Sequence, residues 1–241
     1  MDRAAMETPV PAVLAVCGLG FEAAIAAGPG VVTVRGPGPA RVAAGLEALL
    51  GAPLGTPSSA WAGIISFGCA GALDPALAAG SCVVATRVLT GDELIPADAA
   101  WVRTLLGCLP GARPGTLAGL DGPLASSGAK IALWRDSGAC AVDMESHAAA
   151  LAARRHRLPF AACRVVLDAA SRDVPSCALA GMREDGSCAP WPLLRALATV
   201  PGELGPLLAL ALDAWRAQHA LRQVRARLGA RFGARLAAPG P

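Results

Sequence analysis

Carboxylate side chains end two apolar runs near the middle of the chain. One run leads into Asp143 and Glu145, and a second run, at 160–167, leads into Asp168. Ligands of α/β proteins bind at the carboxyl ends of strands, so both runs, interpreted as strands, would turn Glu145 and Asp168 towards one crevice. An acid at a single strand end is commonly a helix cap or a turn residue. Two acids at successive strand ends, joined by one helix, make a functional site a comparable alternative.

Small residues follow two other apolar runs. Gly18 and Gly20 come after the first run of the chain, and Gly68 and Cys69 come after the third. Without bulky side chains, the backbone N–H groups of such turns can approach an anion or a sugar closely. Together, the two small-residue turns indicate a shared polar ligand at the edge of the sheet.

The first of these turns also fits the dinucleotide fingerprint G-x-G-x-x-A at 18–23. That fingerprint needs a full helix before the next strand, and only residues 21–27 are available for it. Arg35 ends the second apolar run in place of the acid that would bind the ribose of NAD, and it would suit the 2′-phosphate of NADP. An NADP-dependent oxidoreductase is therefore a lower alternative.

Composition limits the class of protein and of site. The 241 residues suffice for one large α/β domain or two small ones, and a net charge of +3 is too small to indicate nucleic-acid binding. The eight cysteines include no C-x-x-C pair and no histidine pair has metal-ligand spacing, so no metal is expected. We see neither a secretory signal nor a membrane-spanning stretch, and we expect a soluble cytoplasmic protein.

Apolar runs alternate with helical patterns along most of the chain. This alternation predicts a single α/β domain over 1–200, with a central twisted mixed sheet flanked by helices. Residues 171–191 carry Pro, Ser, Asp and Gly without periodicity. A long loop is expected there, of the length that is typical of lids and binding loops.

The C-terminal part, 201–241, predicts a basic amphipathic helix. From Trp215 onwards its charged side chains are all arginine, and apolar residues recur three and four positions apart: Leu221, Val224, Leu228, Phe232 and Leu236. Such a helix packs its apolar face on the domain or a partner subunit, or it lies in a membrane interface. The second alternative would add peripheral contact with the inner membrane face.

Four segments, in the same order along the chain, resemble the nucleoside phosphorylase and nucleosidase superfamily. They are Gly-Leu-Gly-Phe-Glu at 18–22, Gly-Cys-Ala-Gly-Ala-Leu-Asp-Pro at 68–75, Val-Asp-Met-Glu at 142–145 and Arg-Val-Val-Leu-Asp at 164–168. The second and third segments are the specific ones. Within the superfamily, the chain is most similar to the bacterial hopanoid-associated phosphorylases, which act on adenosylhopane.

The resemblance implies a nucleoside phosphorylase-like fold and cleavage of the N-glycosidic bond of a purine nucleoside. Asp168 would protonate or hydrogen-bond the leaving base, which requires a raised pKa. Glu145 would accept hydrogen bonds from the ribose hydroxyl groups, and Met144 would pack under the sugar. Ser126 begins a turn that matches the family's base-binding Ala-Ser-Gly-Asp turn, with the acid replaced by Gly128.

The nucleophile leaves two alternatives open within the resemblance. A phosphorylase needs an anion site, which backbone N–H groups of the two small-residue turns would supply, with charge from Arg35 or Arg41. A hydrolase needs an acid that activates water, and Glu22 is the single candidate in the first turn. The family's nucleosidases carry a cluster of acids there. This chain has one acid in place of that cluster, which weakens the hydrolase interpretation without establishing phosphate binding.

The predicted reaction is therefore adenine removal from a 5′-substituted adenosine, most specifically adenosylhopane, giving a ribosyl or phosphoribosyl hopane. No cofactor is expected, although inorganic phosphate would be the co-substrate of a phosphorylase. The superfamily suggests a homo-oligomer. The rival functions are a hydrolytic nucleosidase of methylthioadenosine or adenosylhomocysteine, the NADP-dependent oxidoreductase, and a non-catalytic protein of lipid surfaces.

Overall fold

Eight strands form one mixed sheet in the computed structural model, which describes residues 10–51, 61–181, 183, 187 and 189–234. The strands are β1 (Ala12–Cys17), β2 (Val31–Arg35), β3 (Trp61–Ala72), β4 (Cys82–Thr90), β5 (Glu93–Pro96), β6 (Arg113–Gly119), β7 (Ala141–Asp143) and β8 (Phe160–Asp168). The helices are α1 (Gly20–Ala26), α2 (Pro39–Leu50), α3 (Ala99–Cys108), α4 (Ser127–Ser137), α5 (Ser146–Arg155), α6 (Ser176–Gly181), α7 (Pro190–Thr199) and α8 (Leu204–Leu228). Two 3₁₀ segments lie at Pro201–Glu203 and Ala230–Gly233. The predicted α/β fold, a mixed sheet flanked by helices, is confirmed.

The sheet closes on itself around β8. Its main order is β2-β1-β3-β7-β6-β4-β5, and β8 pairs with both β3 and β4. Because β8 is hydrogen-bonded along both edges and covered on both faces, seven of its residues in succession are buried. This placement explains the nearly uninterrupted apolar sequence of β8, in which Arg164 is the one charged residue before the final Asp168.

The topology brings several strand ends to one place. Strand β3 runs parallel to β1 and β8 and antiparallel to β7. Near its end, Gly71 pairs with Val142 of β7 and with Asp168 of β8. Helix α5 joins β7 to β8 and is buried along most of its length, since its alanine side chains let it approach the sheet closely. One end of the sheet therefore gathers the segments that carry the predicted acids.

The prediction of a single long loop at 171–191 is wrong, because the segment contains α6 and the start of α7. A helix as short as α6 shows too little periodicity to be detected in the sequence, and isolated helices of this length are unstable. Its first turn is held from outside: the Glu203 carboxylate accepts hydrogen bonds from Ser176 N at 3.0 Å and Cys177 N at 2.9 Å. A contact that distant in sequence leaves no local signal.

The second half of α8 packs on the domain through its apolar face. Four of the five residues predicted to share that face are buried: Leu221, Val224, Leu228 and Phe232. The rings of Phe67 and Phe232 have centroids 4.9 Å apart, and Trp101 Nε1 donates a hydrogen bond to the carbonyl oxygen of Phe232 at 2.9 Å. Leu236 lies outside the described residues. The domain itself therefore occupies the face that was also considered for a membrane.

Candidate active site

A cavity lies at the end of the sheet where β1, β3, β7 and β8 come together. Glu22 reaches it from α1, Glu145 from the residues just before α5, and Asp168 from the end of β8. All three side chains belong to residues that are at most 9% exposed. Three carboxyl groups from three segments thus converge on one water-poor space, where their charges interact strongly with a ligand.

The Glu22 carboxylate is bound by backbone N–H groups of both small-residue turns. Its Oε2 accepts hydrogen bonds from Gly18 N and Leu19 N, each at 2.9 Å, and its Oε1 accepts one from Cys69 N at 2.7 Å. A Cβ atom at Gly68 would lie 2.5 Å from Glu22 Cδ, so the close approach of the two segments requires glycine there. The N–H groups of Gly18 and Cys69, predicted to bind phosphate, are engaged by a carboxylate of the chain itself.

Burial shapes the acidity of Glu22. Removal from water raises the pKa of its carboxyl group, while the Arg164 guanidinium and the three backbone N–H groups oppose that shift. A carboxyl group with a raised pKa takes up a proton more readily than an ordinary glutamate does. A raised pKa and a place in the cavity lining are properties that a general base requires.

The fully buried guanidinium of Arg164 lies close to Asp143, Glu145 and Glu22. Its Nε is 2.7 Å from Asp143 Oδ2 and its Nη2 is 3.3 Å from Glu145 Oε2. Nη2 also donates a hydrogen bond to Ser66 Oγ at 2.5 Å. Burial by itself would lower the pKa of Arg164, but the carboxylates of Asp143, Glu145 and Glu22 raise it above its ordinary value. Arg164 is the counter-charge that allows several acids to be buried together.

Asp143 and Glu145 are one residue apart and have different surroundings. Asp143 turns inwards, where its carboxylate accepts hydrogen bonds from the backbone and the hydroxyl group of Ser146. Glu145 Oε1 accepts one hydrogen bond from Gly38 N at 3.1 Å. Burial raises the pKa of Glu145 to about 7; Arg164 opposes this shift and the other acids add to it. Asp143 thus fixes the turn, and Glu145 is presented to the cavity.

Asp168 is paired with Lys130, which is completely buried on α4. The Lys130 ammonium contacts Asp168 Oδ2 and also donates a hydrogen bond to the carbonyl oxygen of Arg172 at 2.8 Å. Burial raises the pKa of Asp168, the ammonium group opposes that shift, and the nearby Asp213 adds to it. The predicted requirement for a raised pKa at Asp168 is consistent with these surroundings.

The other predicted site residues are divided between the cavity and its surroundings. Met144 lines the cavity beside Glu145. Ser126 is exposed, and its hydroxyl group caps α4 by accepting a hydrogen bond from Ala129 N at 3.5 Å. Four further residues, like Ser126, are not among those that line the cavity: Gly20, Gly68, Arg35 and Arg41. The cavity therefore unites the predicted acids and Met144, and it leaves the predicted arginines outside.

Sequence reasoning missed Lys130 and Arg164 as site residues, although each carried a signal. Lys130 is the only lysine among 21 basic residues. Arg164 is a charge inside an apolar strand, where burial is costly without a partner. Neither signal identifies the partner, because the contacts with Asp168 and Asp143 join residues on different elements. Among the described residues, no group of three or more His, Cys, Asp or Glu side chains is arranged to hold a metal ion.

The sequence model of the phosphorylase superfamily matches residues 10–180. The chain belongs to this superfamily. The match spans the four acids that line the cavity, Glu22, Asp143, Glu145 and Asp168, and it confirms the family predicted from the four sequence segments. No curated protein matches the chain in sequence.

Solved structures similar to this one include two nucleosidases and a futalosine hydrolase. S-adenosylhomocysteine nucleosidase from Streptococcus pyogenes, in complex with 5-methylthiotubericidin, is 16% identical with a TM-score of 0.61, over 90% of this chain and 97% of that chain. The 5′-methylthioadenosine/S-adenosylhomocysteine nucleosidase of Helicobacter pylori is 13% identical with a TM-score of 0.60, over 90% and 98%. Futalosine hydrolase of Helicobacter pylori strain 26695 is 13% identical with a TM-score of 0.59, over 89% and 97%. At these identities, the likeness establishes the phosphorylase-superfamily fold.

Proposed function

We propose that the protein cleaves the N-glycosidic bond of a 5′-substituted adenosine and releases adenine. The observation that carries this proposal is the convergence of Glu22, Glu145 and Asp168 on one cavity. Membership of the phosphorylase superfamily supports it, as do similar structures named for nucleosidase activity on adenosine derivatives.

Cleavage of the bond separates charge, and different acids stabilise the charge that develops on the base and on the ribose. As the bond breaks, the leaving adenine gains negative charge, and Asp168, with its raised pKa, donates a proton or a hydrogen bond to it. The ribose gains positive charge, which the buried carboxylates stabilise in a low-dielectric space. Glu145 accepts hydrogen bonds from the ribose hydroxyl groups, and Met144 packs against the sugar.

Water is the nucleophile that the site favours. The backbone N–H groups of Gly18, Leu19 and Cys69 bind the Glu22 carboxylate, so a phosphate ion at the same position would meet a negative charge in place of free donors. Glu22, with a pKa raised by burial, can accept a proton from water. We therefore propose hydrolysis and keep phosphorolysis as the second candidate. Adenine release in phosphate-free buffer tests the choice: release without phosphate supports hydrolysis, and strict dependence on phosphate contradicts it.

Replacing Glu22 by glutamine should reduce adenine release by roughly 10²–10⁴-fold, because the amide cannot accept the proton of water. The amide oxygen can accept hydrogen bonds from only one of the two turns, because the amide nitrogen is a donor and would face the N–H of the other turn. Circular dichroism should therefore accompany the kinetics to show that the variant is folded. Steady-state kinetics of the Glu22→Gln variant would show a fall in kcat with little change in KM. Glu47→Gln, which changes an exposed acid paired with Arg155 outside the cavity, is the matched control and should keep its activity. Full activity of Glu22→Gln would exclude Glu22 as the base.

Replacing Lys130 by methionine should change the pH dependence of the reaction. The ammonium group holds down the pKa that burial raises at Asp168, so its removal should move the alkaline limb of kcat/KM to higher pH by roughly one to three units. The Lys130→Arg variant keeps the charge and should move the limb much less. A pH profile of both variants measures this effect. The same loss of activity at every pH in both variants would mean that Lys130 serves only to hold the fold.

An apolar wall supports the proposal that the 5′ substituent is large and apolar. Besides the acids, the lining of the cavity includes Leu124, Val174, Ala178, Leu179 and Leu210. We propose adenosylhopane as the substrate, and a small thioether such as methylthioadenosine as the alternative. Adenine release from adenosylhopane in detergent micelles, compared with release from methylthioadenosine, tests the choice. Cleavage of the thioether alone would contradict the lipid substrate and leave N-glycosidic cleavage intact.

Two rival functions make different predictions. A dinucleotide needs the N–H groups at the start of α1 for its pyrophosphate, and those of Gly18 and Leu19 are bound to Glu22. Binding of NADP with the affinity of a cofactor would favour the oxidoreductase. For a non-catalytic protein, no adenine would be released from either nucleoside, and no cavity variant would alter any rate.

A further inference from the structure

Large apolar side chains are exposed on the outer side of α7 and of the first half of α8. In the described part of the chain, nine large hydrophobic residues are exposed, and seven of them lie between 191 and 215: Trp191, Leu194, Val200, Leu204, Leu208, Leu212 and Trp215. We call these seven residues the α7–α8 surface. Scattered single hydrophobic residues are normal on a protein surface, whereas such a concentration marks an interaction site.

The spacing of the four surface residues on α8 places them on one helix face. On α8, Leu204, Leu208 and Leu212 are four positions apart and Trp215 follows three positions later, so they share one face. Trp215 is 64% exposed and Trp191, at the start of α7, is 77% exposed. Exposed tryptophans of this kind are enriched where a protein meets the boundary between lipid and water.

Helix α8 connects this surface to the cavity. Leu210 lines the cavity, while Leu208 and Leu212, two positions to either side, belong to the exposed face. Gly205, Pro206 and Ala209 lie beside Asp168 at the same end of the helix. One helix thus has an inner side at the site and an outer apolar side.

The charges around the surface are positive. Residues 189–234 include six arginines and two acids. Both acids are engaged: Glu203 binds the backbone of α6, and Asp213 is buried against Arg172 and Arg216. Arg195 and Arg216 are exposed. A two-fold contact between copies of this chain would bring these like charges together, whereas anionic lipid headgroups complement them.

Among the described residues, no single helix has the length and hydropathy needed to cross a membrane. The α7 segment and the segment Pro201–Leu228 meet both requirements only when taken together, and they are bent by 117° where they join.

We propose that the α7–α8 surface docks on an anionic lipid bilayer, with its apolar side chains in the interface and its arginines at the headgroups. Docking in this orientation would hold α8, and with it one wall of the cavity, against the lipid. The partner is the bilayer surface, and the proposal goes beyond N-glycosidic cleavage without depending on it.

Flotation with vesicles tests the proposal. The wild-type protein should float with phosphatidylcholine vesicles that contain phosphatidylglycerol, less with pure phosphatidylcholine, and less at high salt. The triple variant Trp191→Ser, Leu208→Gln, Trp215→Ser should bind more weakly by roughly tenfold for each side chain removed. The matched control is Val10→Gln, Leu94→Gln, which changes the two other exposed large hydrophobic residues and should bind as the wild type does. Circular dichroism should show that all of these proteins are folded.

Two outcomes would overturn the proposal. One is equal flotation of the triple variant and the wild-type protein. The other is a wild-type protein that does not bind vesicles but forms oligomers, while the triple variant forms none. Sedimentation velocity measures the oligomers, and this result would mean that the surface joins copies of the chain. Vesicle binding is measured without substrate, so its failure is distinguishable from a failure of the proposed reaction.

Discussion

Adenine release should fall by roughly 10²–10⁴-fold at neutral pH when Asp168 is replaced by asparagine, because the amide has no acidic proton for the leaving base. The fall should appear in kcat, whereas KM should change little. Steady-state kinetics with a 5′-substituted adenosine measures both. Asp92→Asn, an exposed substitution in the turn between β4 and β5, is the control and should leave the kinetics unchanged.

The Asp168→Asn variant will also lose stability, since the buried Lys130 ammonium then lacks its counter-charge. The double variant Asp168→Asn, Lys130→Met removes that unpaired charge and should recover much of the lost stability in a thermal denaturation experiment. Its activity should stay low. If the double variant recovered activity together with stability, Asp168 would have a structural role and the proposed acid would be wrong.

Replacing Arg164 by methionine should lower the free energy of unfolding by about 3–5 kcal/mol, the usual cost of removing one partner from a buried ion pair. The guanidinium is completely buried and lies against Asp143 and Glu145, so its loss leaves buried carboxylates without a counter-charge. Denaturation in urea measures the change. Arg155→Met removes an exposed arginine, 67% accessible, from a surface pair with Glu47 and should have little measurable effect.

The stability lost in Arg164→Met should depend on pH. Burial raises the pKa of Glu22 and Glu145, and Arg164 opposes both shifts, so its removal raises both pKa values further. A carboxyl group with a raised folded-state pKa favours the folded state below its unfolded pKa, and this contribution is lost as the pH rises through the folded value. The deficit of the variant should therefore be greater near pH 8 than near pH 5. The same deficit at both values would contradict the assigned role of Arg164.

The sequence predicted the elements that position the site better than the contacts inside it. Buried strands such as β8 were predictable from their apolar runs, and the acids that follow β7 and β8 were predictable candidates because ligands bind at strand ends. The two strands are not parallel neighbours: β7 runs antiparallel to β3 and β8 runs parallel to it, and their ends meet at Gly71 of β3. The engagement of Gly18 N and Cys69 N by Glu22 was not predictable. It depends on a contact between residues 47 positions apart, and only the three-dimensional approach of α1 to β3 creates it.

The α6–α7 segment and the second half of α8 also combine features that the local sequence predicts with contacts that it does not predict. The apolar spacing is a local property, and it predicted one helix face correctly for Leu221, Val224 and Leu228. The predicted continuation of the helix is wrong, because α8 ends at Leu228 and Phe232 joins the same buried cluster from the 3₁₀ segment that follows. Whether that face meets the domain or a membrane depends on the shape of the sheet, which receives it through Phe67. Helix α6 depends on the Glu203 carboxylate, which is 27 residues away from Ser176. The local sequence indicates which residues share a helix face and where a strand ends. Long-range packing determines which other residues these elements contact.

The most direct test of the proposed function is adenine formation by the purified protein in phosphate-free buffer, with adenosylhopane in micelles and methylthioadenosine offered separately. We predict adenine from at least one of them, an equal amount of the free ribosyl product, and roughly 10²–10⁴-fold slower adenine formation when the Asp168→Asn variant replaces the wild type. Absence of adenine from both nucleosides, with and without added phosphate, would contradict N-glycosidic cleavage by this site.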